Sequence, residues 1–238
     1  MNPRKIHILK SIIETFIETG GPVGSQFLLD SGEFNVSSAT IRNDMADLEE
    51  IGLIYQPHTS SGRIPTGKGF RMFVDQLMDN FADQVLEKKL AQADLDRLQT
   101  QELEIRLHNA VSILARLSNC LSFATLPWKN EAYYLGIANV LKRPEFQDTL
   151  MASTVIEMLE DKDQFLELLA GLQIDHQVRA YIGEENAIPG IQSCTLLVTL
   201  YKIGSYVGAI GILGPVRMRY AYNMQILDAI RGDVEKVR

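Results

Sequence analysis

The chain has 238 residues, 46% hydrophobic and 22% charged, enough apolar content for one large or two ordinary domains with real cores and too much for a disordered tail. Its 30 Asp and Glu outnumber its 23 Lys and Arg, and the net charge of −7 excludes binding to nucleic acid through bulk positive charge. Cys120 and Cys194 offer neither zinc spacing nor a disulfide framework, no apolar run reaches the roughly 18 residues of a membrane span, and the amino terminus lacks a secretory leader, so a cytoplasmic protein with free thiols is expected.

Ile6, Leu9, Ile13, Phe16 and Ile17 recur at helical spacing, and Gly20-Gly21-Pro22 ends that helix. A second short helix is expected from near Ser25, carrying Phe27-Leu28-Leu29, with Gly32 and Asn35 in the turn after it. A third begins near Ala39, where the hydroxyl of Ser37 or Ser38 can accept from the free amides of its first turn. At 100° per residue, Ile41, Met45 and Leu48 share one narrow arc; Ala39, Asn43 and Ala46 lie opposite, with Thr40 and Arg42 on the shoulders. A helix entering a major groove needs that division, because small residues admit its backbone while a few donors and acceptors read the bases. Arg42 suits guanine and Asn43 suits adenine. Gly52 marks the helix stop, and the following loop, Pro57 to Arg63, contains no acid. Its His58, Thr59, Ser60 and Arg63 are groups that contact phosphate, and an arginine at a loop tip can enter a narrow minor groove. The candidate DNA-contacting residues are therefore Ser37, Ser38, Thr40, Arg42, Asn43, His58, Thr59, Ser60 and Arg63. Residues 1–80 carry seven Lys and Arg against ten Asp and Glu, so the basic groups must act locally, as Arg42, Arg63, Lys68 and Arg71 would.

Thr66 can cap a helix carrying Phe70, Phe73, Val74 and Leu77. From 70 to 126 there is no glycine or proline, and a helix is expected by exclusion, broken near Asp79-Asn80 and acquiring a steady stripe at Leu103, Leu107, Ala110, Leu114, Leu117 and Leu121. It reads as a linker or as a helical hairpin inside one domain.

From Tyr133 the texture mixes strand and helix. Gly136 to Leu141 is a short apolar segment, Met151 to Leu172 reads as one amphipathic helix, and strands are expected at Gln177–Ile182, Ser193–Ile203 and Tyr206–Leu213. Gly204-Ser205 joins the last two as a two-residue hairpin, a register that sets Tyr201 across from Gly208. A closing helix presents Ala221, Met224, Leu227, Ile230 and Val234 to the sheet. The expected class is α+β, with a small antiparallel sheet covered by helices on one face; the domains are expected at 1–80, 81–126 and 127–238.

Enzyme chemistry and cofactor sites are not found. His7, His58, His108 and His176 lack metal-ligand spacing. Gly208, Gly211 and Gly214 lie in a hairpin strand and do not open a helix, so small residues beneath a packed helix are expected there and not a phosphate loop. Cys194 and His176 have neither a strand-to-helix elbow nor an acid partner.

SSATIRNDMADLEEIGL followed by PHTSSGRIPTGKGFR resembles the signature of the HrcA-type heat-inducible transcription repressors of bacteria. The likeness extends upstream through Ile12 to Ser25. It resumes at Gly136 to Leu141 with Pro144-Glu145-Phe146, at Ile182 to Asn186, and at Tyr201 to Gly204 through Gly214-Pro215. The resemblance implies an N-terminal winged helix-turn-helix, a long linker helix and a C-terminal GAF-like domain. It also implies a homodimeric repressor of chaperone operons that binds double-stranded DNA at an inverted-repeat operator and depends on a chaperonin. Full-length members carry an inserted dimerising domain ahead of the Gly-Ile-Ala-Asn segment, for which Ala124 to Tyr134 leaves no room. A second expectation is a protein-interaction module that docks a chaperonin or other partner without binding DNA; a third, weaker one is a small effector in the GAF-like domain.

Overall fold

A computed structural model of the chain describes residues 1–59, 61–79, 103–146, 149–186 and 192–236. The fold mixes helices with two small antiparallel sheets and divides into two compact units, Met1–Gln84 and Val85–Arg238.

The first unit contains α1 (Pro3–Thr19), α2 (Ser25–Asp30), α3 (Ser38–Glu50), the two-residue strands β1 (Ile54–Tyr55) and β2 (Ile64–Pro65), and α4 (Gly67–Asp79). Asn2 caps α1, with Pro3 at its first position, and Gly20 ends it at φ +70°. The apolar arcs meet in one core of Ile8, Ile12, Leu28, Ile41, Leu48, Ile54 and Val74. The Thr66 hydroxyl caps α4 by accepting from Gly69 N, and Gly69 is required there because a Cβ would meet Leu53 O at 2.1 Å.

The second unit runs α5 (Leu103–Ser118), β3 (Leu121–Leu126), β4 (Glu131–Leu135), α6 (Ile137–Leu141), α7 (Thr149–Glu160), α8 (Lys162–Gly171), β5 (Arg179–Ile182), β6 (Cys194–Ile203), β7 (Tyr206–Pro215) and α9 (Tyr220–Glu235). Its sheet has the order β4-β3-β7-β6-β5 and is antiparallel throughout. Tyr201 pairs with Gly208 as the two-residue turn requires.

Four expectations are corrected. The glycine- and proline-free stretch is not helical to its end: Asn119, at φ +52°, stops α5, and Leu121 lies in a strand. Asparagine tolerates the left-handed conformation, so the stop needed no glycine. A boundary between 126 and 127 would separate β3 from its hairpin partner β4; Asp79 is the last described residue of α4, and Asn80 with the segment to 102 falls outside the described residues. The amphipathic run 151–172 is two helices, because Asp161 leaves the helical conformation to accept from Gln164 N and start α8. Helices cover both faces of the sheet, not one. Phe123, Leu196, Val198 and Leu213 face α7 and α8, whereas Thr195 shares a hydrogen bond with Tyr220 of α9 on the other face. β6 is buried along most of its length, and its near-continuous apolar run is what two-sided burial demands.

Of the three glycines of β7, Gly208 and Gly211 lie against side chains of neighbouring strands and Gly214 against Cys120 and Met218 in the connecting segments; the side chains nearest all three belong to no helix. A Cβ on Gly208 would sit 2.6 Å from the Tyr201 ring, one on Gly211 2.6 Å from the Phe123 ring, and one on Gly214 2.6 Å from Cys120 Sγ.

Candidate nucleic-acid interface

Ser37 caps α3: its Oγ accepts from Thr40 N at 3.2 Å and shares a hydrogen bond of 2.9 Å with the Thr40 hydroxyl. Ser38 is the first residue of the helix, and its hydroxyl lies 3.1 Å from that of Ser25 at the start of α2, tying the two helix N-termini together. Ile41, Met45 and Leu48 are buried as the periodicity requires. Ala39, Arg42, Asn43 and Ala46 are exposed and Thr40 is half-buried. Among the described residues neither Arg42 nor Asn43 has a hydrogen-bond or ion-pair partner, so both are available to a ligand.

The loop after β1 is folded on itself. Gln56 Nε2 donates to the carbonyls of Thr59 and Ser61 at 3.0 and 2.9 Å, and His58 N donates to Ser61 Oγ at 3.0 Å. His58 and Thr59 are exposed at this turn, and Ser60 lies outside the described residues. Arg63 is not at the tip as expected. It stands at the base of the loop, just before β2, where it exchanges two backbone hydrogen bonds of 2.9 Å with Val23. Gly62 makes that approach possible, since a Cβ there would lie 2.4 Å from the Val23 carbonyl. The Arg63 guanidinium donates to Glu49 Oε2 at 2.8 Å, and Glu49 Oε1 accepts from Gln56 N at 2.9 Å. One carboxylate on α3 thus holds both stems of the loop, where it leaves β1 and where it enters β2.

Charge on this unit is largely answered internally. Asp44, 4% exposed on the inner side of α3, accepts from Arg4 Nε at 2.6 Å and from its Nη2 at 3.2 Å, and Asp47 pairs with Lys5 at 2.7 Å. Lys10 pairs with Glu14 and Arg71 with Asp75, while Lys68 donates to the Ile51 carbonyl at the C-terminal end of α3. Of the four basic groups expected to act locally, Arg42 alone has no partner among the described residues. Sequence reasoning missed Arg4, Lys5, Glu49 and Gln56 because each acts on a residue outside its own turn of chain.

Residues 71–224 match the family model described as HrcA protein C terminal domain. The chain belongs to the HrcA family. The match begins beyond the α3 and ribbon region, but full-length relatives extend over it. The heat-inducible transcription repressor HrcA of Ruminiclostridium cellulolyticum is 26% identical, covering 99% of this chain and 97% of its own length. That of Clostridium tetani is 27% identical, covering 100% of this chain and 95% of its own length. The first alignment spans 340 positions against the 238 residues of this chain, so this HrcA protein lacks a substantial part of what that relative carries. A solved structure described as a hypothetical protein at 2.2 Å resolution shares the fold, with TM-score 0.84, 20% identity and coverage of 99% of this chain and 98% of that one. No described helix of this HrcA chain is long and apolar enough to cross a membrane.

Proposed function

We propose that this chain is a DNA-binding transcriptional repressor of chaperone operons, acting as a homodimer on an inverted repeat. In this reading the first unit is a winged helix-turn-helix with α3 as recognition helix and the β1–β2 loop as wing, and the second is a GAF-like domain. The observation that carries it is the free pair Arg42 and Asn43, set between the small residues Ala39 and Ala46 while Ile41, Asp44, Met45 and Leu48 anchor the other side of the helix. Two such helices related by a two-fold axis would meet two half-sites. Ser37, Ser38 and Thr40 lie at the end of α3 where amides and the helix dipole favour phosphate, and His58 and Thr59 present the wing to the backbone. The names of the relatives, heat-inducible transcription repressors, support the same reading.

The test is selection of bound duplexes from a random library, followed by titration of the selected inverted repeat and a scrambled control. Arg42→Ala should cost about 1–3 kcal/mol on the selected duplex and relax base preference at one position of each half-site. Unchanged affinity and preference would remove Arg42 from the reading role.

A second reading, a module that docks a chaperonin or another protein without DNA, is favoured by the excess of acids in residues 1–80 and by the internal pairing of their basic groups. Equal, weak binding to selected and scrambled duplexes would support it over the first.

A further inference from the structure

The β3–β7 ladder runs from Leu121 opposite Leu213 to Ala124 opposite Ile210 and stops there. One residue on, the Thr125 hydroxyl takes the place of a backbone carbonyl, accepting from Ala209 N at 2.8 Å. Beyond that point each strand keeps its other partner, β3 pairing with β4 to Leu126 and Glu131 and β7 with β6 to Tyr206 and Ile203. The backbone ladder between the two hairpins therefore ends there, leaving a wedge lined by Leu166, Leu169 and Ala170 of α8, while the hairpin tips stay in contact through Trp128 and Tyr206, ring centroids 5.3 Å apart. An open pocket of about 370 Å³ lies in the wedge, a size within the range of sites for small ligands. Its lining is mainly aliphatic, chiefly Leu166, Leu169, Leu172, Ile174 and Leu200, with Gly208 and Ala209 of β7.

Two features set the chemistry of an occupant. Among the described residues Glu131 is the one ionisable group of the lining, and its carboxylate is paired with Lys162 at 3.2 Å. A charged ligand would thus leave water without a free counter-charge to meet it. Asn130, held at φ +51° in the β3–β4 turn, is exposed, lines the pocket as the exposed Val207 does, and has a side-chain amide without a partner among the described residues.

We propose that this wedge is a binding site for an uncharged small molecule with an apolar body and one hydrogen-bonding end, the body lying along Leu166, Leu169 and Leu200 and the polar end meeting Asn130. The site is independent of whether α3 meets DNA. Three isosteric probes decide its class: 4-phenyl-1-butanol, 4-phenylbutylamine and 4-phenylbutyrate, titrated calorimetrically into the full chain. The alcohol should bind one equivalent with a dissociation constant of about 1 mM or tighter, the strength that about eleven heavy atoms in an apolar site supply. Each charged analogue should bind about tenfold more weakly, since desolvating its charge is uncompensated. Val207→Trp at the mouth and Ala170→Trp on the exposed side of α8 should each weaken the alcohol several-fold without shifting the thermal unfolding midpoint. Absence of binding by the alcohol at about 10 mM, equal binding of all three probes, or unchanged binding in both tryptophan variants would each overturn the proposal.

Discussion

Tyr201 lies over Gly208 on the adjacent strand so closely that a methyl group on the glycine would sit 2.6 Å from the ring, and its hydroxyl passes beyond to donate to the Thr125 carbonyl at 2.5 Å. The ring thus spans the place where β3 and β7 part, on the face opposite α8. Gly208→Ala is expected to cost at least about 2 kcal/mol, because a buried ring has to leave its rotamer or the strand has to shift. Tyr201→Phe keeps the packing but leaves the carbonyl without that donor, for about 1–2 kcal/mol. Urea unfolding followed by Trp128, the one tryptophan and a residue of the same unit, measures both. A Gly208→Ala midpoint equal to the parent's would mean that the ring moves aside freely.

This pairing was legible because a two-residue turn fixes register, and the inner arc of α3 because Ile41, Met45 and Leu48 repeat at helical spacing. Both signals are local. What escaped sequence reasoning depends on chain segments far apart: Arg4 on Asp44, Phe123 over Gly211, and Arg63 drawn down to Glu49 and Val23. β3 escaped for another reason. Leu121 continues the helical stripe of α5, and nothing but Asn119 announces the break.

Glu49 separates electrostatics from preorganisation. If charge alone governed binding, removing a carboxylate from a DNA-facing unit would tighten it. The Glu49 carboxylate, however, holds Arg63 and the Gln56 amide, and with them both stems of the β1–β2 loop. Glu49→Ala should therefore weaken binding to the selected duplex about threefold to tenfold, the ordering cost of a freed loop. Fluorescence anisotropy on a labelled duplex reads this directly, and tighter binding would show that repulsion outweighs the hold on the ribbon.

Arg63→Ala should act differently from Arg42→Ala. With its guanidinium engaged by Glu49 at the base of the loop, Arg63 can shape the wing or touch the backbone, and neither role distinguishes bases. Affinity for selected and scrambled duplexes should fall by the same factor. A loss confined to the selected duplex would place Arg63 among the base-reading residues.

Salt dependence follows from how few cations are free. Arg4, Lys5, Lys10, Arg63 and Arg71 are in ion pairs and Lys68 caps α3, so a dimer should neutralise few phosphates. The slope of log affinity against log salt should be shallower than about −9, the value for roughly ten contacts on duplex DNA. A steeper slope would require these ion pairs to open on binding.

Cys120 and Cys194 are both buried, and burial pushes their thiols up to about 11 and about 12, with the Glu145 carboxylate adding to the rise at Cys194. The thiolate is the reactive form, so neither should be modified by a disulfide reagent at pH 8 in the native chain, whereas both should react in denaturant. The same shift carries a stability consequence. Below pH 9 both states hold the thiol protons; above it the unfolded chain releases them while the native chain retains them, so the unfolding free energy falls as pH rises through 9 toward 11 and 12. Alkaline unfolding of the parent should accordingly be steeper between pH 9 and 11 than that of a Cys120→Ala, Cys194→Ala double variant. Superimposable pH profiles would mean that the thiols ionise alike in both states and that burial does not shield them.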